Sequence, residues 1–280
     1  MTNPIVDPLV ETVDSDADSP LAHIEATRQG VATVWINRPG RRNALDPLTI
    51  AALRQAFETL HGAEGVRIVF LRGAGGQFSA GGDLDWAREA ASLPEDDDRA
   101  DAHDMAAMLK ALADVPALTV ALVEGEALGG GAGLVAACDA AVAAESAAFG
   151  FPEVMAGLLP ATIAPYVIAA VGPRTARRLF VTGRGFDARE AARIGLVDEV
   201  VADAAALEAA AARLAQEIMA AAPAAAAAAK RLVAEVSGRA IDHGLMNETA
   251  RRAAEARESA EAREAAAARA AGRKPAWTSL

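Results

Sequence analysis

The sequence predicts an α/β fold, and three features carry the prediction. Apolar runs of strand length recur at 66–73 ("VRIVFLRG"), 117–125 ("ALTVALVEG") and 139–145 ("DAAVAAE"). Glycine-rich loops follow the first two of these runs. Helix-forming segments lie between them, so strand, loop and helix alternate along the chain.

The elements follow in order. Residues 21–37, "LAHIEATRQGVATVWIN", read as two strands around a turn at Gln29–Gly30. Asp46 then caps a helix that has Pro47 at its first position and runs to about Leu60. The strand at 66–73 leads into "GAGGQFSAGGDL" (73–84), with a turn or short helix expected near Leu84. Residues 101–113 are helical, and Pro116 breaks that run. The strand at 117–125 leads into "GEALGGGAGL" (125–134), whose end opens another helix. After about residue 200, strand signals give way to alanine-rich helix formers such as "ALEAAAARLAQEIMAAAP" and "LMNETARRAAEARESAEAREAAAARAAG". The expected organisation is a tail at 1–20, an α/β core at 21–200 and a helical lobe at 201–280. The last helices read either as a solvated, salt-bridged surface or as oligomer contacts.

Composition narrows the function. The 280 residues carry a formal net charge of −11, with no basic patch of the kind a nucleic-acid binder needs. Charged residues interrupt every apolar run before it reaches membrane length. The acidic start, "MTNPIVDPLVETVDSDADSP", lacks a basic n-region and an apolar h-region, and reads as a disordered tail rather than a secretory signal. Cys138 is the single cysteine, so no intramolecular disulfide forms, which suits a reducing cytoplasm. It sits in an apolar helical run, where a thiol packs as a small hydrophobe.

Several chemistries are excluded by spacing. The glycines at 125 and 130 have P-loop separation, but Gly131 stands where a lysine is required. The run 129–133 lacks the dinucleotide spacing. His23, His61, His103 and His243 are scattered, with no metal-ligand pattern. Ser79 is not in a nucleophile elbow. What remains is the pair of glycine loops. Each could aim backbone N–H groups at an anion, the second from a helix N-terminus. Two converging amides would make an oxyanion hole.

The ordered set "INRPGRRNALD", "FSAGGDL", "ALGGGAGLVAACD", "FGFPEVMAGLLP", "RLFVTGRGFDAREAARIGLVDEV" and "RKPAW" resembles the crotonase superfamily of enoyl-CoA hydratases and isomerases, over roughly residues 21–277. The resemblance implies a crotonase-like spiral of ββα units with a C-terminal helical lobe, assembled as a trimer or a dimer of trimers. It implies an acyl-CoA thioester as substrate and no cofactor beyond it. The oxyanion amides would be those of Ala80 and Gly130, with Gly81 and Gly129 beside them. Glu153, in "FPEV", matches one of the family's two catalytic glutamates. The position of the other is Gly133, so a single carboxylate remains. The resemblance also makes Arg42, Asp83, Leu84, Trp86 and Lys274 candidates for substrate contact. Arg42 and Lys274 would face the phosphates of CoA and Trp86 the acyl group. Asp83 also reads as a loop or helix cap.

Two mechanisms stay open at this point. A hydratase divides water addition neatly between two carboxylates, but one could serve by relaying protons through the attacking water. An isomerase needs one base, which Glu153 supplies. A homologue that binds CoA without turnover is the third reading. "FSAGGDLDW" and "GLLPATIAPYVI" resemble the branch acting on methylglutaconyl-CoA and isohexenylglutaconyl-CoA, which favours hydration. In such substrates a second carboxylate would occupy the gap at Gly133 and position the water.

Overall fold

The computed structural model describes residues 20–83, 85, 86, 88 and 94–278. The expected tail, except Pro20, and Leu84 lie outside the described residues. β1 (Ala22–Ala26) and β2 (Val31–Ile36) form an antiparallel pair. The turn between them uses Gly30 at φ 82°, where a Cβ would stand 2.3 Å from the Gly65 carbonyl oxygen. Helix α1 (Pro47–Gly62) begins as expected: the Asp46 side chain accepts the Thr49 N–H at 2.8 Å. Such a cap is worth about 1 kcal/mol.

β3 (Ile68–Gly73), α2 (Glu95–Ala113), β4 (Leu118–Val123), β5 (Glu126–Leu128) and α3 (Gly130–Ala137) follow. α2 starts before the expected residue 101. Next come β6 (Ala140–Ala144), β7 (Ala148–Gly150), α4 (Ala164–Thr182), β8 (Phe186–Asp187), α5 (Ala188–Arg193) and β9 (Glu199–Val201). Gly172, at φ 75°, and Pro173 interrupt α4. The main sheet has the order β1-β2-β3-β4-β6-β9 and is parallel from β2 onward. A second, three-stranded sheet is β5-β7-β8. The repeat is now visible: β4, β5 and α3 make one turn of a spiral, and β6, β7 and α4 the next. Each turn puts one long strand in the main sheet and one short strand in the second.

Alternation along β3 shows why the main sheet is buried on both faces. Val69 and Leu71 face the large core with Val34, Ile36, Leu53 and Phe57. Ile68 and Phe70 face the other side, where Val120, Leu122 and Val142 meet Leu207, Ala210 and Ala211 of α6 (Ala204–Ala220). So the first helix after residue 200 completes the covering of the sheet. α7 (Pro223–Val236), α8 (His243–Arg257) and α9 (Ala260–Ala270) follow. α7 is latched to the sheet by Lys230, whose ammonium donates to the Asp139 carboxylate at 2.5 Å and to the Ala117 carbonyl at 3.1 Å. Asp139 also accepts the Thr119 N–H, so it is a structural hub. Burial pushes the Cys138 thiol above its ordinary range.

Candidate active site

The two glycine loops lie side by side. The Ser79 N–H donates to the Glu126 carbonyl at 2.8 Å, and the Ser79 carbonyl accepts the Leu128 N–H at 3.0 Å. These bonds extend the second sheet by one bridge, Ser79 to Ala127, with Ala80 following on one strand and Leu128 and Gly129 on the other. The backbones then approach too closely for side chains. A Cβ on Gly81 would stand 2.6 Å from the Leu128 oxygen and 3.5 Å from the Gly130 nitrogen. A Cβ on Gly131 would stand 2.5 Å from the Ser79 oxygen. Gly129 takes φ 49°, which frees the chain to turn into α3. The Gly130 amide is the first of that helix, so it has no acceptor within the helix and carries the positive end of the dipole. Around Gly130 sit the Met105 methyl and a Leu45 methyl, an apolar wall.

The Ala80 amide is differently placed. It donates to the Arg42 carbonyl at 3.0 Å. Arg42 and Asn43 both have positive φ, 51° and 54°. Asn43, which sequence reasoning missed, is fully buried and organises this corner. Its amide donates to the carbonyls of Ala74 and Gln77, its side-chain oxygen accepts the Arg38 N–H, and its main-chain oxygen accepts the Ser79 hydroxyl. The only signal for it was its place in "RPGRRNALD", where arginine and asparagine in a turn tolerate left-handed backbone unequally.

Glu153 enters from a third segment. It lies in a short 3₁₀ turn, Pro152–Ala156, after β7. Its Oε1 would stand 2.9 Å from a Cβ on Gly129, so the carboxylate rests against the glycine run. Its Oε2 is buried without a hydrogen-bond partner. Burial accordingly raises the Glu153 pKa above the ordinary carboxylate range. A half-buried acid with raised pKa, beside a helix-start amide, is a candidate general acid or base.

A cleft of about 440 Å³ opens beside these loops, lined by Arg41, Arg42, Arg88, Ala80, Gly82 and Leu128 among others. Arg42 lines it, with its guanidinium paired to Glu126 at 2.8 Å. Asp83 borders the cleft, but its carboxylate is committed elsewhere. It takes the amides of Asp85 and Trp86 and pairs with Arg38 at 3.2 Å. Burial would raise its pKa; those backbone bonds and Arg38 outweigh burial and hold it below the ordinary range. These bonds fit its reading as a loop or helix cap.

Three other candidate residues are placed as follows. Gly133 borders no gap. A Cβ there would stand 2.1 Å from Ile163 Cγ2, and both residues are buried. An apolar side chain fills the place that a side chain at 133 would take. Lys274 is exposed on the C-terminal segment, which Arg273 ties to Glu264 and Trp277 to the Ala220 carbonyl, so within one chain it is not brought to the cleft. Trp86 lines a separate pocket of about 210 Å³ with Pro47, Ile50 and Ala102. Among the described residues no cluster of His, Cys, Asp and Glu could hold a metal, and no helix is long and apolar enough to cross a membrane.

The two glycine loops and a half-buried acid thus lie together beside one cleft, and comparison supplies the family. The enoyl-CoA hydratase/isomerase family model matches residues 26–279, and the chain belongs to that family. A Thermus thermophilus protein provisionally named an enoyl-CoA hydratase is 37% identical over 66% of this chain and 73% of its own. The human mitochondrial enoyl-CoA hydratase domain-containing protein 2 is 36% identical over 62% of this chain, and the match spans 59% of that protein. The solved structure of Pseudomonas aeruginosa AtuE superposes with a TM-score of 0.87 at 39% identity, covering 92% of this chain and 99% of AtuE.

Proposed function

We propose that the protein hydrates an α,β-unsaturated acyl-CoA. The observation that carries this reading is the pinning of Ser79 to Glu126 and Leu128, which sets two loop amides together beside Glu153. The thioester oxygen would accept from the Gly130 and Ala80 N–H groups. Water adds at Cβ while the Glu153 carboxylate takes one of its protons. The electron pair of the double bond moves toward the thioester, and the resulting enolate is held by the amides. Glu153 then returns the proton to Cα, so one carboxylate serves both steps. Loss of one oxyanion donor costs about 3 kcal/mol of transition-state stabilisation.

We assign the acyl group to the branched glutaconyl class from the likeness of "FSAGGDLDW" and "GLLPATIAPYVI". We place a second carboxylate on such a substrate away from Gly133, because Ile163 packs against that glycine. The phosphates of CoA fall to Arg42 and its neighbours at the cleft. Lys274 contributes only from an adjacent subunit. An assembly of three or six copies fits the exposed Met155, Leu158 and Leu159, which are 77%, 57% and 77% accessible beside the active-site turn.

A second reading, Δ3,Δ2-enoyl-CoA isomerisation with Glu153 as the lone base, is favoured by Ile163 filling the second carboxylate's place. Incubation with crotonyl-CoA, 3-methylglutaconyl-CoA and a 3-enoyl-CoA separates the readings. Loss of conjugated-enoyl absorbance means hydration, and its gain means isomerisation. CoA binding without turnover of any of the three means a binding homologue.

A further inference from the structure

Arg42 makes two contacts, one from its main chain and one from its side chain. Its main-chain carbonyl occupies the Ala80 amide at 3.0 Å. Its guanidinium pairs with Glu126 at 2.8 Å, and Glu126 opens β5, the strand that runs into Gly129. Between these contacts the backbone is held in an uncommon state, with two successive non-glycine residues at φ 51° and 54°. Such conformations persist where the surroundings over-determine them. Here Asn43's buried bonds and the two Arg42 contacts do so. Arg42 and Ala80 both line the same cleft of about 440 Å³.

We propose that Arg42 is a gate on the oxyanion hole that the phosphate-bearing half of the substrate opens. The inference rests on the acyl-CoA reading above. In the free protein the Arg42 carbonyl fills the place of the thioester oxygen at the Ala80 amide. Both side chains of the Arg42–Glu126 pair are partly exposed, 60% and 36%, so the pair is weak and a phosphate competes for the guanidinium. When the phosphate draws Arg42 from Glu126, the backbone follows and the carbonyl leaves the amide. The hole is thus completed only when the nucleotide end is bound. A short thioester without that end meets one free amide, that of Gly130.

The test uses a truncated substrate, crotonyl-N-acetylcysteamine, with adenosine 3′,5′-bisphosphate added in trans. In the wild-type protein the nucleotide raises kcat for the truncated thioester by about tenfold, part of the 10²–10³ that one oxyanion donor is worth. The Glu126→Gln variant turns the truncated thioester over faster than wild type without nucleotide, and gains less when it is added. Amide exchange of Ala80, read by NMR, gives a measure independent of activity. It is slow in the free wild-type protein, and faster both with the nucleotide and in Glu126→Gln. A nucleotide that fails to bind, or that binds without accelerating Ala80 exchange or turnover, overturns the gate. If full-length crotonyl-CoA and the other thioesters are not turned over but Ala80 exchange responds as stated, the gate stands and the catalytic reading falls.

Discussion

Gly133 and Ile163 are fitted to one another. A side-chain carbon on Gly133 would stand 2.1 Å from Ile163 Cγ2 and 2.7 Å from its Cβ. Even alanine at 133 therefore overpacks the contact between α3 and the start of α4. We expect Gly133→Ala to lose about 1–3 kcal/mol of stability. Gly133→Glu restores the family's second acid in name only, because its stem meets Ile163. Adding Ile163→Ala to Gly133→Ala makes the double variant less damaged than the sum of the singles, since they share one space. Denaturant unfolding of the three variants checks this, and simple additivity would contradict it.

Glu153 makes a pH prediction of definite sign. Its carboxyl is raised by burial, so the folded protein holds that proton more tightly than the unfolded chain. Stability from this group is greatest in acid and falls as pH rises from the ordinary carboxylate range through the raised value. Glu153→Gln has no charge to bury. It is expected to melt above wild type at pH 7, with the gap closing on acidification. A gap that widens in acid would show the carboxylate to be stabilised in its charged form. Activity follows the opposite course: turnover that begins with the ionised carboxylate declines as pH drops through the raised pKa.

Asp83 behaves the other way. Its pKa is lowered in the folded state, so its contribution is present above the unfolded value and is lost as pH falls through the folded one. Asp83→Asn leaves Arg38, 15% exposed at its side chain, with Asp46 as its remaining carboxylate partner. Because Asp46 still compensates Arg38, the loss of one charged hydrogen-bond partner costs about 1–3 kcal/mol. The cost should shrink in acid, where wild type loses the same charge. Melting curves at pH 7 and pH 3 measure both.

Asn43 acts on the first amide through the loop it holds. Asn43→Gly keeps access to φ 54° while removing the bonds to Ala74, Gln77 and Arg38. Each buried group left unpaired costs about 1–3 kcal/mol. We expect lower stability and a fall in kcat larger than any change in KM, because the loop carrying Ala80 loses its position. A change confined to KM would place Asn43 in substrate binding instead.

The long parallel strands and the α1 cap were legible because they are local. "VRIVFLRG" is apolar through strand length, and Asp46–Pro47 spells a helix start. The strands of the second sheet were not, since β5 and β7 are three residues each and exist by pairing with one another. The glycine loops suggested an anion site, and the family resemblance singled out Ala80, Gly130 and Glu153 as its candidates. What no reading of the chain gives is occupancy. That Ile163 fills the space beside Gly133, and that the Arg42 carbonyl sits on the Ala80 amide, are contacts between segments 30 or more residues apart. Glycine at 133 signals room, and only the packing tells what takes it.

The central claim is that Glu153 alone moves the protons beside a thioester held by loop amides. Its most direct test is turnover by purified Glu153→Gln, assayed with crotonyl-CoA, 3-methylglutaconyl-CoA and a 3-enoyl-CoA beside wild type, with CoA binding measured by calorimetry. The account predicts retained binding and a loss of turnover of about 10²–10⁴-fold for whichever substrate wild type uses. Equal rates in the variant and the wild type would contradict it.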